Sequence, residues 1–152
     1  MPFARNFFNQ KEQTLLVEAI GRAELRTSGE IRLHLDNFCF GNEVKVAQKV
    51  FASLGMHKTQ ERNGVLIYIA TLSRKIAIIG DEGIHQKLGT EYWQKLVEKI
   101  VRQFKESTLH QEKGSEKAEV LVACILECGE QLCTYFPLKS DDKNELSNEI
   151  SF

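Results

Sequence analysis

Residues Glu61 to Ile84 read ERNGVLIYIATLSRKIAIIGDEGI, and this segment decides the fold. Its first apolar run, Val65 to Ala70, has no polar side chain that breaks it except a tyrosine, which is typical of a central strand buried on both faces. Only the residues TLSR separate this run from a second one, Lys75 to Gly80, and so short a connection favours a hairpin. The sequence therefore predicts two antiparallel strands, bracketed by the charged, glycine-containing loops ERNG and GDEG.

The residues before this hairpin predict a further strand and a helix. Glu30 to Asp36 alternate between polar and apolar side chains, which is the period of a half-buried strand, and we expect His34 to face solvent. A helical stripe follows that ends at Gly55 and comprises Val44, Ala47, Val50, Phe51 and Leu54. Because strand–helix–strand crossovers are right-handed, the strand at Glu30 should run parallel to the first hairpin strand. The predicted sheet is therefore mixed.

Helices account for most of the remaining chain. Asn9 and Glu12 have the spacing of a capping box, which predicts a helix from about Gln10 to Arg26. Three later helices are predicted from the residues that should cap or begin them: Asp81, Thr90 and Ser115. Pro137 should end the last of these helices, and the polar residues after it have no sustained period. We predict a single α/β domain over residues 1–137 and a disordered polar tail over residues 138–152.

Composition limits the classes of partner. With 20 Lys+Arg against 21 Asp+Glu, the net charge is -1, which does not favour a nucleic-acid polyanion as partner. The chain shows no signal-peptide pattern and no run near the roughly 20 apolar residues that span a bilayer. We therefore expect a soluble, cytoplasmic protein with no direct membrane insertion. The four cysteines include no CxxC pair, and Cys124 and Cys128 are expected to be buried as small hydrophobes.

The predicted strand directions bring three loops to one edge of the sheet. These are residues 27–30, 61–64 and 80–83, which we call the loop cluster. Carboxylate and amide oxygens beside glycines are typical ligands of a hard cation such as Ca²⁺. The candidate metal ligands are Glu30, Glu61, Asn63, Asp81 and Glu82. Turn chemistry is the alternative: Asp81 caps a helix, Arg62 pairs with an acidic neighbour, and the glycines only make turns.

The segments TSGEIRLHL, ERNGVLIYIATLSRKIAIIGDEGI and ILECGEQLCTYFP resemble the TPM domain, a family named for thylakoid-lumen, photosystem-repair and MOLO proteins. The resemblance covers Phe7 to Pro137 and is closest to the short, stand-alone bacterial members. It implies a mixed central sheet with helices packed on both faces, an α/β/α sandwich. The positions that match the family pattern are Ser28, Gly29, Glu30, Arg62, Asn63, Gly64, Arg74, Gly80, Asp81, Glu82 and Gly83.

The same resemblance implies several functions, which differ in class. Family members are described as calcium-binding and, for the plant lumenal proteins, as acid phosphatases, whereas the bacterial members are largely of unknown function. A cation site is therefore the first hypothesis. The second is a metal-dependent phosphatase in which Ser28 and Arg62 contact the phosphate, although no nucleophile motif is present. The third is a non-catalytic module that binds a protein partner.

Two features depart from the family pattern. Many members have an acidic residue where this chain has Arg62, so one potential ligand is moved to Glu61 or lost. The charged link between Phe104 and Val120 is longer than the usual one. The signal peptide and C-terminal membrane segment of larger relatives are not expected here, so any role at a membrane would require a partner.

Overall fold

The computed structural model describes residues 3–109, 116–138 and 147–152. Among these residues the sheet has three strands, β1 (Glu30–Asp36), β2 (Gly64–Ala70) and β3 (Lys75–Gly80). Five helices accompany it: α1 (Ala4–Phe7), α2 (Gln10–Ala23), α3 (Glu43–Ser53), α4 (Glu82–Leu109) and α5 (Glu116–Tyr135). A short 3₁₀ turn over Met56–Lys58 leads into β2. The predicted capping residue Ser115 lies outside the described residues.

The strand order is β1-β2-β3, with β2 in the centre. β1 is parallel to β2, with Glu30 opposite Gly64, and β3 is antiparallel to β2, with Gly80 opposite Val65. All seven residues of β2 are buried. The structure confirms the mixed sheet, the hairpin and the buried central strand that the sequence predicts. Alternation, the crossover and the loop length were each compatible with one arrangement of the strands.

Helices pack on both faces of the sheet. The larger core lies on the side of α2, α4 and α5, and its fully buried strand residues include Ile31, Leu33, Val65 and Ile67. The smaller core joins α3, through Ala47 and Phe51, to the other face of β2 and β3. Cys124 and Cys128 are buried in the larger core on α5, as expected. The α/β/α sandwich is therefore confirmed.

The prediction that β1 is half-buried is wrong. Six of its seven residues are buried, including Arg32 and His34, which the alternation had directed to solvent. Polar partners replace water on this face: Arg32 pairs with Glu24 and Glu30, and the two ring nitrogens of His34 contact Ser151 and Asp36 at 2.8 and 3.0 Å. Alternation reports polarity, and here the polar face is covered by groups that satisfy it.

The helix ends follow local chemistry. The capping box is present, because Glu12 N donates to Asn9 Oδ1 and Asn9 N donates to Glu12 Oε1. α2 ends at Ala23 rather than Arg26, since the side chain of Glu24 turns toward β1 and accepts a hydrogen bond from Ile31 N at 2.7 Å. No helix among the described residues combines the length and apolar character that crossing a membrane requires.

A break divides α4 at Gly89. This glycine has φ of 81°, in the left-handed region, so the helix consists of a short first segment and a longer second one. The sequence predicts the same division, with a new helix beginning at Thr90. A Cβ built on Gly89 would meet no heavy atom within 4 Å.

The end of the chain contacts the domain. Residues 139–146 of the predicted disordered tail lie outside the described residues, whereas residues 147–152 are described. Ser151 N donates to Leu33 O and Leu35 N donates to Ser151 O, both at 3.0 Å, so this residue pairs with the outer edge of β1. The domain boundary at residue 137 stays a prediction. Residues 147–152 lie beyond that boundary in sequence but pack on the domain.

Candidate functional site

The loop cluster forms because the three strands fix its backbone. Glu30 begins β1 opposite Gly64, which begins β2, and β3 ends beside the same residue. Asp81 N then donates to Gly64 O at 2.8 Å, which extends the β2–β3 pairing by one residue. The residues that precede β1 and β2 therefore meet the residues that follow β3, as the strand directions predict.

A hydrogen-bonded group of three side chains lies at the start of β1 and β2. Ser28 Oγ donates to Glu61 Oε2 at 2.7 Å, and Asn63 Nδ2 donates to Ser28 Oγ at 3.0 Å. The same amide nitrogen is 3.5 Å from Glu61 Oε2. Because a carboxylate oxygen only accepts, the contact with Glu61 assigns this side of the Asn63 amide to the nitrogen.

Asn63 has an acceptor that the described residues do not satisfy. The residue is only 1% exposed, yet its Oδ1 receives no hydrogen bond from them. Leaving a buried acceptor without a donor costs about 1–3 kcal/mol, so native proteins usually supply a donor, a water molecule or an ion. The Nδ2 of the same amide is the atom that contacts Ser28 and Glu61, so Oδ1 is the other arm of an amide held at the loop cluster.

Arg62 and Asp81 form the second part of the cluster. Arg62 Nε donates to Asp81 Oδ2 at 2.7 Å and Arg62 Nη2 donates to Asp81 Oδ1 at 2.9 Å. These hydrogen bonds raise the pKa of the Arg62 guanidinium above its usual value. The Glu82 carboxylate is 3.8 Å from Arg62 Nη1 and is largely exposed. A cation could bind Asp81 only in competition with Arg62.

The first turn of α4 packs directly on the backbone of the second loop. Gly83 N donates to Arg62 O at 2.7 Å, and a Cβ at Gly83 would lie 2.3 Å from Glu61 O. Asp81 directly precedes this turn, and its Oδ1 accepts from the adjacent Glu82 N at 2.8 Å. Close packing therefore requires glycine at position 83, and Asp81 supplies a hydrogen-bond acceptor to the same turn.

The Glu30 side chain joins a different group. Its carboxylate accepts from Arg32 Nη2 at 3.0 Å, and Arg32 Nη1 donates to Glu24 Oε2 at 3.1 Å. All three side chains are at most 10% exposed. Burial raises the pKa of the Glu24 carboxyl to about 8; the hydrogen bond from Ile31 N and the charge of Arg32 lower it only in part, and the nearby Glu30 raises it further.

Sequence reasoning missed this buried triad. Glu30 and Arg32 are two apart on one strand and share a face, which was a usable signal. Glu24 gave none, because the predicted helix ran past it. The structure therefore brings Ser28, Glu61, Asn63, Asp81 and Glu82 to the loop cluster and directs Glu30 away from it.

No group of three or more His, Cys, Asp or Glu side chains is arranged to hold a metal ion in the part of the chain that the structure describes. Glu61, Asn63 and Ser28 supply mixed oxygen atoms instead, and only one of them is a carboxylate. Asp81 and Glu82 both lie against Arg62. These residues fit a cation only in part, because Arg62 occupies the Asp81 carboxylate and lies near that of Glu82.

Comparison with known proteins identifies the family. A family model described as the TPM domain matches residues 4–117. This chain belongs to the TPM domain family. The match includes the loop cluster and the whole sheet, so the family that the sequence motifs resemble is confirmed.

This TPM domain is also similar to a solved structure. The NMR structure of BA42 protein, from the psychrophilic bacterium Bizionia argentinensis, is 37% identical in sequence and has a TM-score of 0.81. The likeness covers 95% of this chain and 94% of BA42. No curated protein gives a significant match.

Proposed function

We propose that this TPM domain binds a divalent cation, with Ca²⁺ as the first candidate, at the loop cluster. The proposed ligands are Glu61 and Asn63, with the Ser28 hydroxyl beside them and with Asp81 and Glu82 available when Arg62 moves. Calcium accepts carboxylate, amide and hydroxyl oxygens in flexible geometry, and this set offers all three kinds. Glu30 is left out of the ligand set, because it is paired with Arg32.

The observation that carries the proposal is the buried Asn63 Oδ1. It is an acceptor without a donor among the described residues, and the Nδ2 of the same amide is 3.5 Å from the Glu61 carboxylate. Either a water molecule or a cation would satisfy it, but a cation would also neutralise the adjoining carboxylate. The observation therefore supports a cation more specifically than a cluster of acidic side chains alone.

Arg62 acts against the cation in this arrangement. Its guanidinium holds both oxygens of Asp81 and brings a positive charge to the cluster. Its side chain is 47% exposed, so it has room to turn outward. We expect cation binding to be weak while Arg62 is present and to strengthen when it is removed.

A calcium titration of the metal-free protein, followed by backbone amide NMR, tests the proposal. Saturable shifts confined to residues 27–30, 61–64 and 80–83 are expected. Glu61→Gln should weaken binding, because it removes a carboxylate. Arg62→Gly should strengthen binding, because it removes the competing guanidinium. Glycine is chosen because it suits the φ of 53° at position 62. Glu91→Gln, an exposed acidic residue on α4, is the matched control and should leave affinity unchanged.

The proposal fails if shifts are absent or diffuse, or if Glu61→Gln binds calcium as the natural chain does. The phosphatase hypothesis stays an untested prediction. It requires Arg62 to leave Asp81 and to bind a phosphate group instead. A protein-binding role and a cytoplasmic location likewise stay predictions.

A further inference from the structure

A cavity of about 440 Å³ lies at the turn end of the β2–β3 hairpin. Its lining comes from α1, from the hairpin, and from α4 and α5. Because a strand rises roughly 3.3 Å per residue, β2 separates this cavity from the loop cluster by about 20 Å. Its volume is within the roughly 300–1,000 Å³ of small-molecule sites.

The lining combines an apolar wall with cations. Phe7, Ile76, Val101 and Phe104 supply apolar surface, and Arg74, Lys105 and Lys117 supply positive charge from three different elements. Lys75 also lines the cavity, but its Nζ donates to Gly41 O at 2.7 Å and so is directed elsewhere. No Asp or Glu among the described residues lines this cavity.

Arg74 ends the hairpin loop in a backbone conformation that is uncommon for an arginine. Its φ is 56°, in the left-handed region, where glycine or asparagine is preferred at the end of a hairpin loop. Arg62 is the other arginine with positive φ, and its guanidinium holds Asp81. The side chains of Arg74 and Lys117 form no hydrogen bond or ion pair with the described residues. Two cations at one cavity therefore lack a counter-charge within residues 3–109, 116–138 and 147–152.

We propose that this cavity binds an amphiphilic anion, with its oxyanion at Arg74 and Lys117 and its apolar chain against Phe7, Val101 and Phe104. A guanidinium forms paired hydrogen bonds with carboxylate or phosphate oxygens, which is why the head group is an oxyanion. The ligand should also have a hydrocarbon portion, because a free inorganic anion would leave the apolar wall exposed to water. The ligand class is a medium-chain carboxylate or an alkyl phosphate. This site is separate from the proposed cation site and does not depend on it.

Octanoate is the probe, and backbone amide NMR of the full chain is the measurement. Saturable shifts are expected at residues 69–71, 76, 101 and 104. Acetate, which lacks the chain, and octanol, which lacks the charge, should each bind at least tenfold more weakly, by the rough worth of a charge-assisted hydrogen bond or of several buried methylenes.

Arg74→Gly is the informative variant, because glycine adopts the same φ without strain and the hairpin should keep its shape. We expect its octanoate affinity to fall roughly tenfold, the loss of one charged hydrogen-bonding group. Lys117→Gln should also weaken binding. Lys49→Gln removes an exposed positive charge from α3, on the opposite face, and should leave affinity unchanged.

Three outcomes would overturn the proposal. Octanol could bind as tightly as octanoate, which would make the site merely apolar. Both Arg74→Gly and Lys117→Gln could retain full affinity. Vesicles of anionic phospholipid could bind while octanoate gives no saturable shift, which would assign the cations to a membrane surface instead.

Discussion

Arg62 donates two hydrogen bonds to Asp81, at 2.7 and 2.9 Å, across the gap between the loop before β2 and the first turn of α4. The same carboxylate also accepts from Glu82 N, and the Arg62 carbonyl accepts from Gly83 N. Side chain and backbone therefore hold the same two segments together. The loop and the helix start are one structural unit, whether or not an ion binds beside them.

Asp81→Ala should destabilise the metal-free protein more than Asp81→Asn. Asparagine keeps an oxygen that can accept from Glu82 N, whereas alanine does not, and a hydrogen bond of this kind contributes about 1 kcal/mol. Both variants lose the negative charge that faces Arg62, but asparagine also keeps an oxygen that can accept from Arg62, so the difference reports both hydrogen bonds together. Urea unfolding in the presence of a chelator measures the difference. Equal stabilities of the two variants would show that a neutral acceptor at position 81 contributes nothing here.

Gly83→Ala should destabilise the fold by about 1–3 kcal/mol or more, because overpacking displaces neighbours. The added Cβ would lie 2.3 and 2.6 Å from the Glu61 and Arg62 carbonyl oxygens, which belong to backbone. Gly21→Ala is the matched control: it lies inside α2, its Cβ would meet only Asn148 Nδ2 at 3.8 Å, and it should stabilise by about 0.5–1 kcal/mol. Thermal unfolding compares them, and a neutral Gly83→Ala would contradict the packing of α4 on this loop.

Stability should fall as pH rises between 4.5 and about 8, the ordinary and the raised pKa of Glu24. In this window the folded state keeps the Glu24 proton and the unfolded state has lost it, so the folded state binds more protons. Glu24→Gln keeps an acceptor for Ile31 N and Arg32 but cannot ionise, so it should flatten this fall and be the more stable protein above pH 8. Denaturant unfolding across this range measures it. Parallel pH profiles for the two proteins would assign the dependence to another group.

Deletion of residues 147–152 should speed amide hydrogen exchange at Leu35, whose N–H donates to Ser151 O. The loss of unfolding free energy should be small, about 1 kcal/mol, because the lost hydrogen bonds are offset by the freed chain entropy. Ser151→Ala keeps the backbone bonds and removes only the hydroxyl at 2.8 Å from His34 Nδ1, so Leu35 should stay protected. Unchanged exchange after the deletion would mean that these residues do not hold the edge of β1 in solution.

The sheet was predictable because its signals were local and consistent. The unbroken run of β2, the short TLSR connection and the crossover from β1 each allowed one arrangement. The burial of β1 was not predictable in the same way. His34 is covered by Ser151, more than a hundred residues away, and no pattern within β1 reports such a partner.

The candidate site was predictable at the level of backbone and not of side chains. Strand direction placed Ser28, Asn63 and Asp81 at one edge, since direction follows from connectivity. Side-chain partners depend on which opposite charges lie close together in the folded chain. Arg32 pairs with Glu30 in the interior, and Arg62 pairs with Asp81. The buried Asn63 Oδ1 could not be seen at all without coordinates, because burial and hydrogen bonding decide it.

The break at Gly89 has a mechanical consequence for α4, which begins at the loop cluster and later lines the cavity through Val101 and Phe104. A continuous helix would act as a rigid rod and carry a displacement from one end to the other. Here a joint lies between the two ends, at a residue whose surroundings leave open space for a Cβ. The first segment is held by the buried Ile84 and by the hydrogen bond from Trp93 Nε1 to His85 Nδ1 at 3.1 Å across the break, so we expect the joint to keep a fixed angle between the two segments.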